Sequence, residues 1–305
     1  MADARTEQPK PTRRLKVLLS AYACEPGKGS EPGAGWHWAI HMAQRHDVTV
    51  VTRANNAPVI EAALRTFAGP KPNFIFFDLP LVLQKLKRPP FATKLYYVLW
   101  QIAIRWKLRR LLPEFDLIHH VTFNAFRFAG FWWRTGKPVV LGPLGGGQIC
   151  PWRLLPFFGP LALAEALRSI VVLLSRWDPI HRLNCRTAAR LLIANRDTYQ
   201  RVPARYRPKV EFMLDAAVEV PDAPPHRASN PAACRFIWVG RLEWRKAASL
   251  ALRAFARARR QNPRLMLTMV GQGPLHRKLQ RLARRLELEN AVTWLGNIPH
   301  QDIAA

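Results

Sequence analysis

The sequence predicts an α/β protein built from two doubly wound units. Three observations carry the prediction. Short apolar runs alternate with helical patterns from residue 15 to residue 220. The alternation breaks at a stretch rich in Pro, Ala, Ser and Asn, 221–233, and restarts at residue 234. Glycine clusters follow several of the apolar runs, where an open parallel sheet turns from strand into helix.

The elements follow in order. LKVLLSAYA (15–23) is a compact apolar run and reads as a buried strand. A glycine-rich loop (24–35) leads to a helix over 36–46, with Trp36, Ile40 and Ala43 on one face. DVTVVTR (47–53) and NFIFFDLP (73–80) are the next strands. Residues 95–112 form a long amphipathic helix with a basic end. FDLIHHVTF (115–123) is a strand ending in two histidines, and KPVVLGPLGGG (137–147) runs into glycines. Further strands fall at 188–198 and, more weakly, 209–220. After 221–233, read as a linker, strands fall at 234–240, 264–271 and 291–296. A helix with Ala248, Ala251, Phe255 and Ala258 at helical spacing follows the first of them. Pro274 opens another, striped by Leu275, Leu279, Leu282 and Leu286. A last helix begins after residue 296. The domain expectation is a disordered basic tail (1–14), a first domain (15–220), a linker (221–233) and a partial second domain (234–305).

Composition narrows the partners. The 305 residues are 49% hydrophobic and carry a net charge of +27, with 47 Lys and Arg against 20 acids. Such a charge implies a polyanionic neighbour: nucleic acid, an anionic membrane surface or a phosphorylated substrate. A proteome-wide bias toward GC-rich codons gives the same appearance. Cys24, Cys150, Cys185 and Cys234 form no CxxC pair, so isolated reduced thiols fit better than a metal knuckle or a disulfide scaffold. The first residues lack the apolar core of a secretory signal, and the expected location is cytoplasmic. No uninterrupted apolar run reaches the about 18–20 residues of a bilayer span. The nearest, 161–175, contains Glu165 and Arg168 and is expected to be a buried or interfacial helix.

The glycine-rich turns raise phosphate binding, because glycine lets backbone amides approach an anion at a helix N-terminus. GKGSEPG (27–33) has one residue too many for the GxGxxG dinucleotide fingerprint, and the second strand ends in Arg53 where an acid should hold a ribose. A nicotinamide dehydrogenase is therefore disfavoured, although Arg53 leaves an NADP reading open. The P-loop pattern is absent. GPLGGG (142–147) is a second cluster at a strand end. The third such place is WVGRLEWRK (238–246), where Arg241 and Lys246 leave a strand just before a helix. A forked guanidinium, an ammonium and helix amides together suit a diphosphate. A solvated basic turn has the same spacing.

Six segments, in order, resemble the retaining glycosyltransferases of family four: SAYACEPGKGSEPGAGW (20–36), HHVTF (119–123), GPLGGG (142–147), GRLEWRK (240–246), VGQGP (270–274) and WLGNIP (294–299). The resemblance covers nearly the whole chain from residue 15. It implies a GT-B fold, in which two Rossmann-like domains face each other across a cleft, the C-terminal one incomplete here. It implies that Arg241 and Lys246 bind the donor diphosphate. Gly33 and Gly35 match the loop that closes over the donor. Glu31, Gly145, Gly146 and Gly147 match the loops by the sugar and acceptor. Gly271, Gly273, Asn297 and Ile298 match the nucleoside loops. His119 or His120 matches a catalytic strand-end histidine, and a one-residue register shift decides which. Two departures stand out. Ala247 replaces the family's glycine after the lysine, and little damage is expected from so small a residue. The family's E-x7-E acids have no counterpart before Ala305, so a C-terminal truncation is expected.

The implied reaction moves a sugar from a nucleotide-diphosphate sugar to a glycan or lipid-linked acceptor, with retention of configuration. Neither a cofactor nor a metal is expected; the sequence has no DxD pair. Cations interleaved with Trp and Tyr at 86–112, and the aromatic 151–160, suit peripheral contact with an anionic inner membrane face. Both stretches could instead pack inside the first domain. Two alternatives stay open: an inactive truncated remnant of the fold, and a basic nucleic-acid-binding protein. Nucleic acid is not expected as a partner, because the arginines are dispersed and no recognition helix, OB or RRM pattern is visible.

Overall fold

The computed structural model describes residues 13–85, 92–123, 125–215 and 234–298. The linker, most of the N-terminal tail, the basic residues 86–91 and the expected last helix lie outside them. The chain divides into two compact units. One comprises residues 1–148 with 172–218, the other 149–171 with 219–305. Residues 149–171, read from the sequence as part of a 15–220 domain, thus group with the second unit.

The first unit is built on a seven-stranded, wholly parallel sheet. Its strands are β1 (Lys16–Ser20), β2 (Asp47–Thr52), β3 (Asn73–Phe76), β4 (Leu117–His120), β5 (Val139–Leu144), β6 (Arg190–Ile193) and β7 (Val210–Phe212). The order is β3-β2-β1-β4-β5-β6-β7. The central strands read as apolar runs because both faces are covered; Val17, Leu18 and Leu19 of β1 have no exposed surface. The order reverses between β1 and β4. Open α/β sheets bind ligands at such a reversal, outside the carboxyl ends of the strands.

Helices of this unit are α1 (Ser30–Ala43), α2 (Ala57–Thr66), α3 (Leu81–Gln84) and α4 (Thr93–Leu108). After them come α5 (Ala162–Leu174), which begins in the second unit, then α6 (Pro179–Thr187) and α7 (Arg196–Arg201). Helix α1 begins six residues earlier than the sequence indicates. Gly33 and Gly35 therefore lie inside a helix, not in a loop. Pro32 sits in the first turn, where no amide bond is lost, and its carbonyl accepts from Glu25 N–H at 2.9 Å. Helix α4 turns Tyr96, Tyr97, Trp100 and Ile104 into the core. Those aromatics, read as membrane-facing candidates, are committed to packing. Arg13 and Arg14, counted with the disordered tail, are instead tied to Asp116 at 3.4 Å and Asp47 at 3.0 Å.

Helix α5 falls in the stretch expected to be either buried or interfacial. It follows a 3-10 stretch, Trp152–Leu161, that is broken at Gly159; taken together, Trp152–Trp177 has the length and apolarity to cross a bilayer. No single apolar run in the sequence has that length, and the structure supplies it by joining two. The helix is not buried: Leu163, Leu167, Ile170 and Leu174 are exposed.

The second unit carries a three-stranded parallel sheet of β8 (Arg235–Val239), β9 (Met266–Val270) and β10 (Val292–Gly296), in the order β10-β9-β8. Helices α8 (Ala248–Gln261) and α9 (His276–Arg285) pack on it. Leu252, Phe255, Leu267, Met269 and Leu279 form its core.

Candidate functional site

In the first unit, the predicted residues gather at the carboxyl ends of β1, β4 and β5. Glycine is needed at Gly33 because an added Cβ would lie 1.9 Å from the Lys28 carbonyl oxygen. At Gly35 it would lie 2.1 Å from that of Ala23. The two glycines press α1 onto the loop that follows β1, and both are buried. Their first role is thus close packing, which sets the position of the α1 N-terminus. Glu31 sits in that first turn. Thr122 locks the same loop to the end of β4, its Oγ1 accepting from Ala23 N–H at 3.1 Å. The sequence offered no signal for Thr122, since the pair is 99 residues apart.

Arg53 is occupied structurally. Its Nε donates to the Tyr22 carbonyl at 3.0 Å, and its guanidinium lies 4.8 Å from the Tyr22 ring centroid. The NADP reading that rested on this residue loses its free cation.

Gly145, Gly146 and Gly147 follow β5 and behave differently from one another. Gly147 packs on α7, where an added Cβ would lie 2.5 Å from Thr198 Cα, and its N–H donates to Thr198 Oγ1 at 3.0 Å. Gly146 has φ +85° and Gly145 has no neighbour closer than 3.8 Å to a Cβ position. Space is left above their backbone, as a close-approaching ligand requires.

His119 and His120 both lie buried. Tyr97 Oη donates its single proton to the Phe128 carbonyl at 3.1 Å. It must therefore accept from His120 Nε2 at 2.8 Å, and Ser20 Oγ donates to His120 Nδ1 at 3.0 Å. Both nitrogens of His120 are thereby consumed. His119 Nε2 donates to the Gly142 carbonyl at 2.9 Å, because a carbonyl only accepts. Its Nδ1 has no partner among the described residues. Of the two, His119 alone keeps a lone pair to offer.

Burial lowers both imidazoles. His119 falls to about 4, the Gly142 carbonyl opposing the fall only in part. His120 falls to about 3, with His119 beside it adding to the effect. Both are neutral near pH 7. In the unfolded chain they protonate below about 6.5, so the folded state binds fewer protons. Their contribution to stability is complete above that value and is lost as the pH falls toward 4. Urea unfolding between pH 7 and 4 should show stability falling with acid, by up to about 1.4 kcal/mol per pH unit for each histidine. His119→Asn and His120→Asn should each flatten that slope; an unchanged slope in both would refute the assignment.

In the second unit, three loops close on one another at the carboxyl edge of the small sheet. Gly240 N–H donates to the Val270 carbonyl at 3.0 Å, and Leu242 N–H to that of Gln272 at 3.0 Å. Gly271 N–H donates to the Gly296 carbonyl at 2.6 Å. Gly271, at φ +126°, would place a Cβ 2.0 Å from the Gly240 carbonyl oxygen, and Gly273 one 2.4 Å from that of Leu242. These glycines are the contact surfaces of the loops. Arg241, Lys246, Gly271, Gly273, Asn297 and Ile298 are thus brought to one edge.

Arg241 and Lys246 both point to solvent there. The Arg241 side chain is 73% exposed and meets only a distant acid, Glu243, at 3.9 Å. Arg245 holds Glu243 more closely, at 3.1 Å. Lys246 has no acidic partner among the described residues. Glu243, which the motif reading passed over, orders the loop without neutralising both cations. Ala247 sits at φ 51°, ψ 32°, a left-handed conformation at the N-cap of α8. The expectation of little damage from this substitution is corrected: the need for glycine here is conformational, not spatial, and a Cβ in this region costs about 1–2 kcal/mol. After allowing for glycine's greater unfolded-state freedom, Ala247→Gly should stabilise the second unit by about 0.5–1 kcal/mol in thermal or urea melts.

Two shallow hollows elsewhere in the first unit, one lined by Arg105, Trp133, Arg134, Leu183, Arg186 and Thr187, contain none of the predicted residues. Among the described residues no three His, Cys, Asp or Glu side chains gather as a metal site.

Known proteins share this architecture. The chain is similar to the lipopolysaccharide outer core galactosyltransferase WaaB in its apo form, at 15% identity and a TM-score of 0.52, over 93% of this chain and 68% of that one. It is similar to a variant of S. aureus TarM in complex with Fondaparinux, α-GlcNAc-glycerol and UDP, at 8% identity and a TM-score of 0.56, over 93% and 78%. WaaG, a glycosyltransferase involved in lipopolysaccharide biosynthesis, aligns at 13% identity and a TM-score of 0.50, over 94% and 71%. No curated protein matches the chain in sequence. The fold is the Rossmann-like GT-B type. A sequence match, not the fold, is what supports a glycosyltransferase. Residues 226–305, which include the loops of the second unit, match the family described as glycosyl transferases group 1.

Proposed function

We propose that this protein transfers a sugar from a nucleotide-diphosphate donor to a glycan or lipid-linked acceptor, with retention of configuration and without a divalent metal. The observation that carries the reading is the closed set of loops at the carboxyl edge of β8–β10. They fix two outward-facing cations, Arg241 and Lys246, beside the start of α8. In this reading the bond between sugar C1 and the diphosphate oxygen breaks as the acceptor oxygen bonds to C1. The acceptor's proton passes to the departing phosphate. Negative charge grows on the diphosphate, and cations already held in place stabilise it without reorganising. His119, neutral and with Nδ1 open, accepts a hydrogen bond from a hydroxyl of the transferred sugar.

The GT-B fold and the group 1 match support the donor class. The lipopolysaccharide role of WaaB and WaaG is the support for an envelope glycan or lipid-linked acceptor, and a cytoplasmic site at the inner membrane face belongs to the same proposal. Calorimetric titration with UDP-, GDP- and ADP-sugars tests it. One of them should bind, with Kd in the micromolar to millimolar range, and lose affinity in Arg241→Ala. A folded chain that binds none at millimolar concentration would refute it.

A further inference from the structure

Helix α5 has its polarity reversed. Its protected stripe is Glu165, Ser169, Val172 and then Ser175. Three of these four are polar, and each is satisfied. Glu165 accepts from Arg168 Nε at 2.9 Å. Ser169 Oγ accepts from Cys150 N–H at 3.2 Å, and Ser175 donates to the Val172 carbonyl at 2.6 Å. The opposite stripe, Leu163, Leu167, Ile170 and Leu174, repeats at i, i+4, i+7 and i+11, and all four are exposed, Leu163 by 72%. Of the most apolar window in Trp152–Trp177, only 11% is buried. A helix in water puts its apolar stripe inside. One that turns it outward needs an apolar covering.

We propose that this face docks on an anionic lipid bilayer and lies in its interface. Length argues against a span by α5: 13 residues rise roughly 20 Å, against a hydrocarbon core of roughly 30 Å. The preceding stretch is bent at Gly159 (φ 55°, ψ −127°) and contains Pro156 and Pro160. Both ends of the segment carry an exposed tryptophan beside an arginine. Arg153 lies 5.2 Å from the Trp152 ring centroid and Arg176 lies 3.9 Å from that of Trp177. Tryptophan with a cation is the pairing suited to the headgroup level. The charge of +27 selects anionic lipid over a second copy of the same chain, which would repel it. The assignment rests on the proposed function only for its purpose, bringing the enzyme to a lipid-linked acceptor.

Flotation of the full chain with phosphatidylglycerol–phosphatidylcholine vesicles tests this, at low and at high salt. Wild type should float at low salt and keep part of its binding at high salt, where headgroup attraction is screened and apolar insertion is not. Leu167→Glu with Ile170→Glu should lower the vesicle partition at least tenfold, with an unchanged melting temperature because both sites are exposed. Val59→Glu, at an exposed position of α2, should not. Vesicles with brominated acyl chains should quench tryptophan emission less in Trp177→Phe. No flotation at low salt would overturn the proposal. So would a dimer in light scattering that the double variant dissolves. Donor titration reads separately: retained nucleotide-sugar binding in the double variant with lost flotation supports docking, and a wild-type chain that floats but binds no donor strikes the functional reading alone.

Discussion

Gly271→Ala is expected to destabilise the second unit by roughly 2–6 kcal/mol, the largest effect of any single methyl group in the site. Two costs add. The residue sits at φ +126°, where L side chains are rarely found. Its new Cβ would also stand 2.0 Å from the Gly240 carbonyl oxygen, a backbone atom that cannot rotate away. The loop after β9 must therefore separate from the loop after β8. The bonds Gly240 N–H to Val270 O and Leu242 N–H to Gln272 O are the first to stretch. Thermal melts should show an early transition. Gly136→Ala separates the two costs: φ there is +72° and nothing lies within 4 Å, so only the conformational part, about 0.5–1 kcal/mol net of glycine's unfolded-state freedom, should appear. Equal losses in the two variants would show that the loop contact contributes nothing.

Arg241→Ala should leave the fold intact and weaken donor binding by roughly 10- to 100-fold. The stability half follows from exposure: an arginine largely in solvent, 3.9 Å from its nearest acid, holds little together. The binding half follows from charge-assisted hydrogen bonding to phosphate, about 1.5–3 kcal/mol per contact. Arg241→Lys should recover only part of the loss, since an ammonium is a point charge and cannot fork across two oxygens. Lys246→Ala should act in the same direction. Turnover should fall with affinity in each, because the charge on the diphosphate grows as the sugar departs. Titration calorimetry and initial rates on the full chain separate the two. A variant that melts as wild type and binds donor as wild type would remove Arg241 from the site.

The strands were legible because burial on both faces leaves a mark in composition. LKVLLS and DVTVVT contain little but apolar and β-branched residues. The start of α1 was not legible: Gly33, Gly35 and Pro32 look like loop residues until the carbonyls of Lys28 and Ala23 are seen against them. Arg241 and Lys246 were legible by order alone, since they sit between a strand and a helix. Ala247 was half legible. Its small size was read as the relevant property, whereas its left-handed backbone is what matters. The histidine pair could not be divided from sequence, because the groups that consume His120 are 100 residues before it, at Ser20, and 23 before it, at Tyr97.

By itself the sequence determined the alternation of strands and helices, the pause near residue 221 and the succession of glycine and cation motifs at strand ends. These are local properties: burial selects apolar runs, backbone conformation selects glycine, and both are written within a few residues. Only the tertiary structure decided which histidine retains a free nitrogen, why Gly271 and Gly273 admit no side chain, and that α5 turns its leucines outward. Each of these depends on what a distant segment brings alongside. An apolar stripe at helical spacing states that a helix has a greasy face; the packing of the rest of the chain decides whether that face meets protein or is left for something else.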